Sequence, residues 1–140
     1  IAGQDTDGSV TPEDLGMHWA IGYDKPNSWI GKRALTRPDT KRADRKQMVG
    51  LKPKDPSVVL EEGAQIVFEP NHPIPMPMVG HVTSSYYSPT LASGFALAVV
   101  KGGHQKMGET VYLPMVDGQV HEAEIVSPIF LDPKGERQNV

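Results

Sequence analysis

The chain has 140 residues, of which 14 are basic and 17 acidic, for a formal net charge of −3, and it contains no cysteine. That length suits one domain, or one domain with part of a neighbour, and lets a single core bury most of its apolar surface. The acidic balance argues against a nucleic-acid or membrane-surface partner, and the missing cysteines exclude disulfides, thiolate metal sites and cysteine nucleophiles.

No apolar run approaches the roughly 20 residues of a membrane helix, and no signal peptide is recognisable, so a cytoplasmic location is expected. The opening IAGQDTDG lacks an initiator Met and reads as if cut from something longer. Next, DTDGSVTPEDLG at 5–16 invites a calcium-loop reading, with Asp5, Asp7 and Ser9 at the first ligand positions. Val10 stands where the sharp turn needs glycine, however, and Gly16 where the bidentate glutamate belongs. The better reading is a turn at Asp7-Gly8, then Thr11 capping a short helical turn begun by Pro12.

Residues 15–23, LGMHWAIGY, alternate apolar and small or polar side chains and predict a strand. Residues 28–36, SWIGKRALT, predict the one short helix, capped by Ser28 and stopped by Pro38. Charged residues 39–46 form a connector, and its KRADRK run reads as a solvated face ahead of a phosphate patch. From there the pattern is β, with candidate strands at 46–52, 65–69, 78–84, 94–101, 109–114 and 119–126. Asp117-Gly118 marks a tight hairpin with both residues at positive φ. NHPIPMPM, 71–78, cannot pair as a central strand. Six short strands in so few residues imply a closed or nearly closed small barrel, since closure removes exposed edges.

Within this pattern Ser84–Ser88 of GHVTSSYYSPTL, 80–91, read as a loop that carries two adjacent tyrosines and ends on Ser-Pro. Paired aromatics among hydroxyls suit the wall of a flat ligand, or one core and one surface ring. The five histidines show no metal-ligand spacing, although His81 and His121 fall in candidate strands; no GxSxG, GxGxxG or P-loop is present, and KGGHQKMGE at 101–109 is a connecting turn. No self-contained catalytic set is visible.

Taken together, GQD, the GMHWAI segment, WIGKRAL, VGL, GHVTSSYYSPTL, ALAVV and a closing P-x-F resemble the C-terminal part of the glycine-cleavage T-protein, or aminomethyltransferase, family. Ser85 departs from that family's usual glycine, and ASGFALAVV from its usual wording. DRKQMVGL, EEGAQIV, VVKGG, MGETVY and DPKGER resemble one branch, the ends of heterotetrameric sarcosine oxidase alpha subunits.

The resemblance covers essentially the whole chain and implies a mainly β fold: a small six-stranded barrel at 46–140, preceded at 1–45 by a strand-helix segment from the truncated end of a folate-binding domain. It implies part of an enzyme that demethylates sarcosine oxidatively and passes the carbon to tetrahydrofolate, releasing glycine and hydrogen peroxide. FAD, FMN and NAD would lie in other regions or subunits. The partners would be the rest of the same subunit and the other oxidase subunits, and the fragment alone would be inactive. No catalytic or metal residue is implied within the chain.

For folate, Lys25 falls where the family places a basic residue after the Trp of its first strand, and Arg137 near the C-terminus is a second candidate; each is otherwise an exposed basic side chain. Tyr86 and Tyr87 are wall or interface residues, with direct folate stacking as the alternative. Trp29 is either core or ligand wall, and the SPTL turn is architectural. A T-protein, a dimethylglycine-dehydrogenase-like enzyme and a non-catalytic docking barrel are the competing readings.

Overall fold

Val49 and Leu51, Ala96, Ala98 and Val100, Val111 and Leu113, and Ala123 and Ile125 occupy alternate positions along four strands, and all are fully buried in one core with Ile66, Val82 and Leu60. Alternation of that kind puts one face of each strand inward. The computed structural model describes residues 1–139 and contains six strands: β1 Lys46–Pro53, β2 Gln65–Ile66, β3 Gly80–Ser88, β4 Ser93–Lys101, β5 Thr110–Pro114 and β6 Val120–Val126. They form one antiparallel sheet in the order β2-β3-β4-β1-β6-β5.

The sheet curls without closing into a continuous ladder. Its edges meet at one antiparallel bridge, where Val67 and Tyr112 exchange two N–H···O bonds of 2.9 Å. The expected strand at 65–69 shrinks to two residues plus this bridge, because the chain runs at once into a proline-rich loop with few N–H groups to donate. The β5–β6 hairpin turns through Met115–Gln119, and Gly118 alone takes a positive φ, 83°.

The first 45 residues correct two expectations. Residues 15–23 form no strand: Leu15 N–H donates to Thr11 and Met17 N–H to Pro12, and the only regular piece is a 3-10 turn at His18–Ala20. Alternation yields a strand only where a partner edge takes up the backbone donors, and here Trp19 projects 75 % exposed. Residues 28–36 form no α-helix either. Gly31 sits at φ +95°, Ile30 points fully into solvent, and only Ala34–Thr36 make a 3-10 turn. A turn interrupted so early cannot recover the cost of helix nucleation. Helical structure among the described residues is confined to short 3-10 turns.

The Thr11 turn is present as expected. Asp14 accepts from the Thr11 N–H at 2.8 Å, and the Thr11 hydroxyl accepts from the Asp14 N–H at 3.3 Å, a reciprocal cap. Among the described residues no group of three His, Asp or Glu side chains is placed to hold a metal.

Candidate functional site

The tyrosine segment is not a loop. β3 continues through Ser84–Ser88, pairing Tyr86 with Phe95 and Tyr87 with Gly94. What lets it continue is a bulge: the register shifts between Val82 and Ser84, leaving Thr83 as the extra residue. The GQD motif grips that bulge. Thr83 donates its hydroxyl to Asp5 at 2.7 Å, and Gln4 donates its side-chain amide to the Thr83 carbonyl at 2.9 Å. The turn after β3 begins where the Ser88 hydroxyl accepts from the Leu91 N–H at 3.2 Å, so the Ser-Pro-Thr-Leu turn is architectural.

Tyr86 lies 5.7 Å, centroid to centroid, from Phe95, which lies 4.7 Å from Phe130 of the C-terminal tail. These rings run along the outer face of the sheet. Gly50 makes the crossing possible: a Cβ there would stand 2.5 Å from the Ser127 carbonyl oxygen and 2.7 Å from the Phe130 ring. Beside the rings a cleft of ≈ 270 Å³ is walled by Phe95, Phe130, Leu91 and Ile129, with Lys52 at its rim. Tyr86 and Tyr87 remain 45 % and 52 % exposed.

Lys25 stands elsewhere, in the N-terminal arm. Its aliphatic stem folds over Gly22, whose carbonyl accepts from the Trp29 indole N–H at 3.0 Å. Trp29, Pro12, Ile21, Leu35 and Lys25 line a cleft of ≈ 300 Å³, so Trp29 is a half-buried wall. Arg137 belongs to a third place, the tail turn in which Asp132 accepts from the N–H groups of Glu136 and Arg137, each at 2.9 Å. No hydrogen bond, ion pair or ring contact among the described residues joins Lys25, the tyrosine pair and Arg137 to one another.

Sequence reasoning missed the most constrained polar group. Arg45, in the run read as a solvated connector, is only 7 % exposed. Its guanidinium donates to Asp14 at 3.0, 3.0 and 2.7 Å, to Asp39 at 2.9 Å and to the Ser9 carbonyl at 2.6 Å. Burial pushes the Asp14 carboxyl up, but Arg45 and the Thr11 N–H and hydroxyl outweigh it and hold the group below the usual carboxylate range. The one available signal was placement: the last arginine of the run stands directly before a strand, within reach of the capped turn.

An antiparallel sheet curled on its own core, carrying an arm gripped at a β-bulge, defines a small barrel-type domain. Residues 46–132 match the family model of the glycine cleavage T-protein C-terminal barrel domain, and the chain belongs to that family. Among curated relatives it is 41 % identical over 141 residues to the sarcosine oxidase subunit alpha of Corynebacterium sp. (strain U-96), covering 99 % of this chain and 14 % of that one. It is 34 % identical to the sarcosine oxidase subunit alpha of Rhizobium meliloti (strain 1021), over 100 % of this chain and 14 % of that one. An aminomethyltransferase of Prochlorococcus marinus is 31 % identical, over 93 % of this chain and 32 % of the relative. Among solved structures, glycine cleavage system aminomethyltransferase T from Bartonella henselae superposes with a TM-score of 0.76 at 22 % identity, over 94 % of this chain and 35 % of that one. The chain thus spans about one-seventh of the sarcosine oxidase subunits it matches.

Proposed function

We propose that this chain is the C-terminal, folate-side part of an alpha subunit of the sarcosine oxidase type. The observation that carries the reading is whole-length similarity to two such subunits, at higher identity than to an aminomethyltransferase. The whole enzyme then demethylates sarcosine to glycine, hands the carbon to tetrahydrofolate and reduces dioxygen to hydrogen peroxide. In this reading residues 1–45 end the folate-binding domain and residues 46–140 form the barrel domain. FAD, FMN and NAD, the remainder of the subunit and the other oxidase subunits lie outside the chain. The compartment is the cytoplasm, and no helix among the described residues is long and apolar enough to cross a membrane.

The residues present fit one end of a folate. Folates join an aromatic system to a carboxylate-bearing tail, and the Trp29 cleft offers an apolar wall with one ammonium, Lys25, at its edge. When bound, tetrahydrofolate supplies the nitrogens that accept the one-carbon unit. On this chain Lys25 meets the tail as a point charge, Trp29 walls the cleft, and Arg137, Tyr86 and Tyr87 complete the site only across surfaces shared with upstream domains. The chain alone is a partial site and does not turn over.

Calorimetric titration of tetrahydrofolate into the chain, with Lys25→Ala and Arg137→Ala beside it, tests the assignment. Saturable binding weakened by Lys25→Ala places part of the site here. Binding indifferent to both changes removes these residues from it. Expressed with its upstream sequence, the protein should release peroxide when given sarcosine; aminomethyl transfer without peroxide would instead support the T-protein reading that the aminomethyltransferase similarity favours.

A further inference from the structure

Lys46 on β1 and Lys101 on β4 are direct cross-strand partners. The Gly102 N–H donates to the Arg45 carbonyl at 2.9 Å, and the Lys101 N–H turns away to Val79 at 2.8 Å. The ladder bonds therefore flank the pair, and Lys46 and Lys101 occupy a non-hydrogen-bonded position, where opposed side chains stand closest. Like charges placed so are unfavourable unless something sits between them. Neither lysine is in an ion pair among the described residues.

Both border a cleft of ≈ 660 Å³ between the Gly8–Thr11 stretch of the arm and the Asp39–Arg45 connector. The acids around it are already engaged. Asp39 faces Arg45 at 2.9 Å and Arg42 at 3.4 Å, and Asp44 faces Arg42 at 3.5 Å; Asp7, outside the lining, accepts from the Ser9 N–H at 2.7 Å and from its hydroxyl, and feels the charge of Lys46 without forming an ion pair with it. The cleft lining thus carries four basic side chains, Arg42, Arg45, Lys46 and Lys101, against two acidic ones, Asp39 and Asp44, and the two lysines are the basic groups of that lining that no carboxylate among the described residues contacts at ion-pair distance.

We infer that Lys46 and Lys101 form a binding site for a small dianion, either a phosphoryl group or a dicarboxylate, held between two ammonium groups at the mouth of the arm–barrel cleft. The site is separate from the Lys25 cleft and does not depend on the folate reading. One dianion between two ammoniums turns the repulsive pair into two charge-assisted contacts.

The test follows backbone amide shifts of residues 45–47 and 101–103 by NMR while sodium phosphate or sodium malonate is added, with sodium chloride holding ionic strength constant. Saturable shifts are expected, weakened about tenfold or more in Lys46→Gln and Lys101→Gln, since each removes a charge-assisted contact. Lys46→Arg should retain binding, and Lys134→Gln, on the tail, should leave it unchanged. Tighter phosphate assigns a phosphoryl ligand and tighter malonate a dicarboxylate. Shifts that chloride reproduces, or affinity in the two glutamine variants equal to the parent's, mean an adventitious ion only and overturn the proposal. Both glutamine variants relieve repulsion, so they should fold, and circular dichroism melting verifies that they do.

Discussion

Replacing Arg45 by alanine should free the Ser9–Asp14 part of the N-terminal arm and leave the sheet standing, with Gln4 and Asp5 still bonded to Thr83. Among the described residues Arg45 is the only side chain that bonds Asp14, Asp39 and the Ser9 carbonyl at once, and so fastens three points of the arm and connector to the start of β1. Asp14 is only 3 % exposed, and without Arg45 it keeps only the Thr11 N–H and hydroxyl. Breaking a buried ion pair by removing one partner costs about 3–5 kcal/mol when the orphaned charge stays buried. Asp39 is well exposed and adds little. The Ser9–Asp14 part can swing out and let water reach Asp14, so the observed cost is capped by its own docking energy, and we expect about 2–3 kcal/mol in urea unfolding.

Hydrogen exchange separates arm from sheet. The Met48 N–H, which donates to the Asp14 carbonyl at 2.8 Å, should lose protection, while Val100 and Ile125 keep theirs. The same clasp should fail in acid. Asp14 is depressed in the folded state, so its stabilisation is complete above its unfolded value, about 3.9, and is lost as pH falls through the lower folded value. Arm protection should therefore survive at pH 5 and disappear well below pH 4. A cost below about 0.5 kcal/mol, the range of ordinary surface substitutions, or protection lost evenly across the sheet, would refute the clasp.

Two further substitutions test the outer face. Gly50→Ala should push the Ser127–Phe130 crossing off the sheet and cost about 1–3 kcal/mol, the usual range for overpacking; equilibrium unfolding that matches the parent would contradict the close approach. Tyr86→Ala should lose about 0.5–1.5 kcal/mol of ring-ring attraction beyond its lost area, whereas Tyr87→Ala, which has no ring partner among the described residues, should stay within about 0.5 kcal/mol. Equal costs in thermal melts would show that the Tyr86–Phe95 contact contributes nothing particular.

The six strands of the barrel domain were legible because each carries its own signal. Thr-Val-Tyr-Leu and Phe-Ala-Leu-Ala-Val-Val alternate or run apolar between glycine turns, and the inward positions in the structure are those the alternation marks. The arm was misread for the opposite reason: Leu15, Met17, Trp19 and Ile21 alternate as well, but no strand edge is there to receive them. The end of β3 was misread because Ser-Ser-Tyr-Tyr-Ser looks like a loop, while a bulge at Thr83, held by Asp5 some 78 residues away in sequence, keeps it paired.

The candidate folate residues came from resemblance, and the tertiary structure spreads them over three surfaces. Sequence by itself determined the β class, the turn positions and the absence of thiol chemistry, because those follow from local pattern and composition, while the family came from the resemblance of its ordered motifs. Only the tertiary structure decided that Arg45 is buried, that Gly50 underlies the tail, that Val67 meets Tyr112, and that two lysines 55 positions apart face each other. Each of these is a contact between distant segments, set by strand register and by where the arm and tail lie across the sheet, and no local pattern in the chain encodes it.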